Sequence, residues 1–129
     1  MAERLTKILY VEDEPDIRMV AQLALETVGE FTLEVCGSGA EALERIAAFQ
    51  PQLVLMDVMM PGMDGPSTLA KIRELQNFKA TPVIFMTAKV QPQEVASYKQ
   101  SGVVGVIPKP FDPMTLANSI LEIWERCHG

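Results

Sequence analysis

Short apolar runs alternate with longer amphipathic stretches along this chain, and the alternation predicts a regular succession of strands and helices. Lys7 to Val11 reads as a first strand, with Glu12-Asp13-Glu14 at its tip. Pro15 suits the first turn of a helix, where its missing N–H costs nothing. Ile17, Val20, Ala21, Ala24 and Val28 recur at helical spacing as an inward stripe, up to a stop at Gly29. Phe31 to Cys36 alternates apolar with polar, which suits an exposed strand near a sheet edge. Ser38 and Glu41 stand at capping-box spacing before a helix with Leu43, Ile46 and Ala47 inward, ending before Pro51.

The next run, Leu53-Val54-Leu55-Met56, is unbroken and reads as a strand buried on both faces. It ends abruptly in Asp57, followed by the turn residues Pro61 and Gly62. Gly65-Pro66 opens a third helix carrying Leu69, Ile72 and Leu75, and the polar stretch from Gln76 to Ala80 closes it. Pro82 starts a fourth strand, Val83 to Met86, which stops at Thr87. Gln91 to Ser101 predicts a weakly amphipathic helix, suited to mobility or to a partner's surface, with Gly102 as its stop. Gly105 to Pro108 forms a fifth strand before Lys109-Pro110-Phe111. Asp112 then caps a last helix, with Pro113 in its first turn and Leu116, Ile120, Ile123 and Trp124 on its apolar side.

Five strands alternating with five helices imply a parallel sheet, because right-handed crossovers place helices on both faces. The expected fold class is α/β, a doubly wound five-stranded parallel sheet. In such sheets ligands bind outside the carboxyl ends of the strands. Glu12, Asp13, Asp57, Thr87 and Lys109 all fall at such ends.

Composition narrows the picture. A chain of 129 residues with 48% hydrophobic content fills one domain core, and the expectation is a single domain over 1–129 with no second or output domain. Met1 and the compact ends suggest a complete protein. No uninterrupted hydrophobic run exceeds four residues, so no segment spans a membrane, and the short polar start is no signal peptide. A cytoplasmic protein is expected. Net charge of −6 without a Lys/Arg cluster argues against direct nucleic-acid binding, which needs a basic face. Cys36 and Cys127 fit no metal pattern and suit a reduced compartment. His128, the sole histidine, sits in the terminal tail and reads as inert.

The chemistry follows from what the strand tips bring together. Carboxylates forced together stay ionised only beside a cation, and oxygen ligands favour Mg²⁺. Mg²⁺ keeps open positions that phosphate oxygens fill, and a carboxylate such as Asp57 can receive the phosphoryl group as an aspartyl-phosphate. The Lys109 ammonium and the Thr87 hydroxyl can neutralise the other phosphoryl oxygens. Each residue singly has a plainer reading: Thr87 as a turn cap, Lys109 as a surface lysine, Glu12-Asp13 as solvated loop charge.

Taken together, Ile-Leu-Tyr-Val-Glu-Asp-Glu, Leu-Met-Asp-Val-Met-Met-Pro-Gly-Met-Asp-Gly, Met-Thr-Ala and Lys-Pro-Phe resemble the receiver domain of two-component response regulators. The likeness covers nearly the whole chain and is nearest the stand-alone, chemotaxis-regulator type. It implies a flavodoxin-like fold with strand order 2-1-3-4-5. It further implies Mg²⁺-dependent transfer of a phosphoryl group to Asp57 from a sensor kinase phosphohistidine, a phosphotransfer protein or a small phosphodonor. By the same resemblance Glu12 and Asp13 hold Mg²⁺ with Asp57, and Met59 adds its backbone carbonyl. Thr87 becomes the switch hydroxyl, Lys109 the phosphoryl-binding lysine, and the Lys109-Pro110 bond cis. An effector, or a second copy in a homodimer, then reads the face of helix four, strand five and helix five. The chain is a signalling phosphoacceptor rather than an enzyme on external substrates.

One position departs from the pattern. Family members often carry an aromatic residue where Val106 stands, and Tyr98 on the fourth helix is either its substitute or a half-buried packing residue. Val106 alone favours the alternative, a degenerate receiver that binds partners without phosphorylation. Two other α/β readings fit less well. An FMN protein needs a hydroxyl- and Gly-rich phosphate loop where Glu12-Asp13-Glu14 stands. An aspartate-nucleophile phosphatase has a second Asp at the place of Met59.

Overall fold

The computed structural model describes residues 3–128, without the side chain of His128, so the expectation for that histidine lies outside the described residues. The elements follow one another as β1 (Lys7–Val11), α1 (Pro15–Thr27), β2 (Thr32–Cys36), α2 (Gly39–Phe49) and β3 (Leu53–Asp57). The second half continues with α3 (Gly65–Glu74), a 3₁₀ turn (Gln76–Phe78), β4 (Val83–Thr87), α4 (Pro92–Gln100), β5 (Gly105–Pro108) and α5 (Leu116–His128). The strands form one parallel sheet in the order β2-β1-β3-β4-β5. This is the doubly wound topology that the alternation of elements predicts.

Side chains alternate across the sheet and make two cores. On one face Tyr10, Leu55, Met86 and Ile107 pack against Ala21, Leu25, Ile120 and Trp124 of α1 and α5. On the other, Leu9, Val54, Met56 and Phe85 pack against Ala42, Ile46, Leu69 and Ile72 of α2 and α3. The central strands β3 and β4 are buried throughout, which explains their unbroken apolar sequence.

Local chemistry sets the boundaries. Ser38 Oγ accepts the Glu41 N–H at 3.1 Å, and Glu41 Oε1 accepts the N–H of Gly37 at 3.1 Å, so the capping box closes one residue earlier than its usual form. The Asp64 carboxylate caps α3 through the Ser67 N–H at 2.8 Å. Gly102 adopts φ +109°, as expected of a stop after α4.

Several expected positions are corrected. In α1 the buried line is Ala21, Ala24 and Leu25, whereas Val20 and Val28 are exposed and Ile17 is half-buried. The two alanines let the helix lie close to the sheet, and that contact line turns the bulkier valines outward. The left-handed residue after this helix is Glu30 (φ 56°), not Gly29. In α2 Ala42 is buried with Ile46, and Ala47 faces outward. Phe31 is buried just outside β2, which starts at Thr32. Phe78, in the stretch expected to be polar, is a core residue, because the 3₁₀ turn folds back under α3. Arg73 secures that fold by donating to the carbonyls of Phe78 at 2.9 Å and Thr81 at 2.7 Å. Asp112 caps the turn over 113–115, accepting the Met114 N–H at 2.9 Å, and α5 proper starts only at Leu116.

Gly65 locks α3 to the tip of β3. A Cβ there would stand 2.8 Å from the Asp57 carbonyl oxygen and 3.0 Å from Val58 Cα, both backbone atoms that cannot swing away. Gly65→Ala is therefore expected to destabilise the fold by about 1–3 kcal/mol, read as a lower denaturant midpoint at unchanged slope. An unchanged midpoint would contradict this packing.

Candidate functional site

The sheet delivers its polar residues to one end. Asp57 is the last residue of β3, Thr87 the last of β4, and Glu12-Asp13 and Lys109 immediately follow β1 and β5. Glu12 and Asp57 are almost wholly buried, at 0% and 4% exposure. The Glu12 N–H bonds to the Cys36 carbonyl at 3.0 Å, which extends the β1–β2 ladder and fixes the carboxylate in place. Arg18 of α1 donates to the Glu12 carbonyl at 2.9 Å from the other side.

Lys109 ties the cluster together. Its ammonium donates to Glu12 Oε1 at 3.0 Å and stands 3.3 Å from Asp57 Oδ1. Glu12 Oε2 accepts the Glu14 N–H at 3.2 Å. Carboxylate oxygens of Glu12, Asp13 and Asp57 all lie within 4.8 Å of one another. Asp13 Oδ1 is buried and has no hydrogen-bond partner among the described residues. A buried acceptor without a donor, inside a ring of hard oxygen atoms, is what a divalent cation such as Mg²⁺ requires, so the residues fit that ion.

Thr87 is also buried, at 1% exposure. Its Oγ1 accepts the Lys89 N–H at 3.0 Å and its carbonyl accepts the Lys109 N–H at 2.9 Å. The turn-cap reading of Thr87 therefore holds, and it leaves the hydroxyl proton available to the cleft. Asp13, Asp57, Met59, Thr87 and Lys109 line that cleft, with the Met59 side chain exposed at its rim. The Lys109-Pro110 peptide is cis. Every sequence-expected polar site residue thus meets at one place.

Val106 is half-buried and pairs with Phe85. Tyr98 packs edge-on against the Phe85 ring, with centroids 5.5 Å apart, which makes it a packing residue of α4. The sequence assigns no role to two neighbours of the site: Arg18, and Tyr10, whose fully buried hydroxyl has no partner among the described residues. Strand alternation carried the signal for Tyr10, since it stands two residues before Glu12 and faces the same way.

Burial is the main influence on Glu12 and pushes it up to about 7; Asp57 adds repulsion, while the Lys109 bond opposes the shift. Burial depresses Lys109, but the carboxylates of Glu12 and Asp57 outweigh it and hold the ammonium above its ordinary range.

A doubly wound α/β domain with an acidic metal-type cluster at the carboxyl ends of its strands is the class these features define. The response regulator receiver domain model matches residues 8–121, and the chain belongs to that family. Response regulator Rre1 of Synechocystis sp. is 37% identical over 126 residues, covering 98% of this chain and 54% of that protein. The DNA-binding transcriptional regulator NtrC of Escherichia coli is 40% identical over 105 residues, covering 81% of this chain and 22% of that protein. The chain thus spans about half the length of the first of these relatives, and less of the second. Among solved structures, chemotaxis protein CheY4 of Vibrio cholerae superposes with a TM-score of 0.85 at 28% identity, covering 93% of this chain and 99% of that one. The receiver domain of Francisella response regulator 1452 gives 0.82 at 29% identity, covering 95% and 98%.

The Glu12 shift has a defined sign. In the metal-free fold the carboxyl keeps its proton up to about 7, whereas the unfolded chain releases it near 4.5, so its contribution to stability declines as pH rises between the two. A cation must displace that proton. Mg²⁺ affinity measured by calorimetry should therefore weaken about tenfold from pH 8 to pH 6. An affinity flat across that range would contradict the buried, proton-holding Glu12.

Proposed function

We propose that this chain accepts a phosphoryl group on Asp57 and thereby switches a protein-binding surface. The carrying observation is the Asp57 carboxylate: nearly buried at a strand tip, facing an open cleft, and held beside the Lys109 ammonium. An Asp57 oxygen attacks phosphorus of a phosphohistidine on a sensor kinase or phosphotransfer protein, or of a small phosphodonor. The new P–O bond forms as the P–N bond of phosphohistidine breaks and imidazole leaves, or as the P–O bond of an acyl phosphate breaks and its carboxylate leaves.

Glu12, Asp13 and Asp57, with the Met59 carbonyl, would hold Mg²⁺. When bound, this ion neutralises phosphoryl oxygen charge and offsets the repulsion among the carboxylates. Lys109 donates to a second phosphoryl oxygen and Thr87 to a third. The chain catalyses only its own phosphorylation and dephosphorylation.

An apolar groove lined by Ile17, Val20, Pro110 and Phe111 borders Lys109, and exposed Met19 and Leu23 continue along α1. This placement supports docking of the donor protein beside the cleft. The output face is α4, β5 and α5. Supporting it, α4 buries no residue, and the Thr87–Lys89 bond ties the site to the loop before that helix. Another protein, or a second copy of this chain, reads that face. The net charge of −6 favours protein partners over nucleic acid, and the setting is cytoplasmic. No helix among the described residues is long and apolar enough to cross a membrane.

Intact mass after incubation with Mg²⁺ and acetyl phosphate tests the proposal. A single phosphoryl adduct is expected, absent without Mg²⁺ and absent in Asp57→Ala. Lys109→Ala should slow its formation about 100-fold or more. No adduct under conditions that modify a known receiver would contradict the proposal and leave a binding module that works without phosphorylation.

A further inference from the structure

Tyr10 presents a problem that the site as described leaves open. Its side chain is fully buried, yet among the described residues its hydroxyl has no hydrogen-bond partner, a costly arrangement that native structures seldom keep without reason. Phenylalanine would fill the same space without that cost. The register places Tyr10 on the face of the sheet that carries the acidic residues. Tyr10 pairs with Leu55, so it stands two residues before Glu12 on one strand while Leu55 stands two before Asp57 on the next. Same-face neighbours along a strand are about 6.6 Å apart. Glu12 and Asp57 both act on the phenol, which burial first and these charges second hold well above its ordinary range.

Both Glu12 oxygens already have a donor in the resting cluster. Glu12 Oε1 depends on Lys109 and Oε2 on the Glu14 N–H. If Lys109 turns to a phosphoryl oxygen, Glu12 keeps the cation and the Glu14 N–H but loses its one side-chain hydrogen-bond donor while remaining buried. A buried carboxylate oxygen that loses a hydrogen bond is expensive, and Tyr10, two residues earlier on the same strand face, holds an unspent proton.

We propose that Tyr10 is a positioning residue of the phosphorylated state: its phenol takes over Glu12 when Lys109 moves from Glu12 to the phosphoryl group on Asp57. This rests on the phosphoacceptor reading above. It assigns the buried hydroxyl to the activated state, in which it gains a partner, and leaves it idle in the resting one.

Tyr10→Phe in the full chain tests this with beryllofluoride as a phosphoryl mimic in saturating Mg²⁺. Three readouts are compared with wild type: thermal stability of the resting protein, Mg²⁺ affinity, and beryllofluoride affinity. The variant should be as stable as wild type or more so, bind Mg²⁺ within about twofold, and lose about tenfold or more in beryllofluoride affinity, the scale of one hydrogen bond to a charged group. Unchanged beryllofluoride affinity overturns the proposal. So does a lower melting temperature in the resting variant, because the phenol would then already be bonded before activation. Should the wild type itself fail to bind beryllofluoride and to react with acetyl phosphate, the phosphoacceptor reading falls and this inference falls with it.

Discussion

Like-charge repulsion at the strand tips is the constraint on which the rest of this structure depends. Glu12, Asp13 and Asp57 place carboxylate oxygens within 4.8 Å of one another, two of the three side chains being almost entirely out of water. Such a cluster is tolerable only beside positive charge. Lys109, brought from the far end of the chain, is the resident cation and contacts two of the three carboxylates. One ammonium does not balance three carboxylates. The imbalance appears as an orphaned Asp13 oxygen and a Glu12 that burial and Asp57 keep reluctant to ionise. A site left short of positive charge, and open to solvent on one side, is prepared for a divalent cation and then for an anion that shares it.

Parallel strand register makes this possible without strain in the polar residues themselves. Asp57 pairs with Met86, and Thr87 follows at the next step, so the hydroxyl arrives one residue beyond the carboxylate. The Lys109 N–H is bonded to the Thr87 carbonyl, which continues the β4–β5 ladder and carries the ammonium back over β1. Gly65 keeps α3 tight against the Asp57 carbonyl, so the loop after β3 cannot relax the acidic cluster by drifting away. By contrast α4 buries nothing, and it is the element with least to lose by moving.

Much of this was legible from residue order. Unbroken apolar runs marked β3 and β4 because a central parallel strand is buried on both faces, and the tip residues were visible as the polar group ending each run. The acidic residues, hydroxyl and lysine all stand at strand ends, where the sequence pattern puts them, since a strand's end fixes where its next side chain goes. Helix faces were harder. Periodicity alone gave α1 one inward stripe that included Val20 and Val28, and only the close approach of Ala21 and Ala24 to the sheet decided that these valines point outward. Phe78 was missed because its burial comes from a single 3₁₀ turn, too short to show a period. Tyr10 looked like one more apolar strand residue; its unpartnered hydroxyl is a fact of packing that no local pattern reports.

The most direct measurement is chemical location of the acyl phosphate. Reducing the phosphorylated chain with borohydride converts an aspartyl-phosphate to homoserine, and peptide mass spectrometry then reads the position. The charge-deficient cluster predicts homoserine at Asp57 alone, and only when Mg²⁺ was present during phosphorylation. Homoserine at Asp13 or any other carboxylate, or an unreduced adduct, would show that the phosphoryl group goes elsewhere and that the strand-tip cluster serves a different purpose.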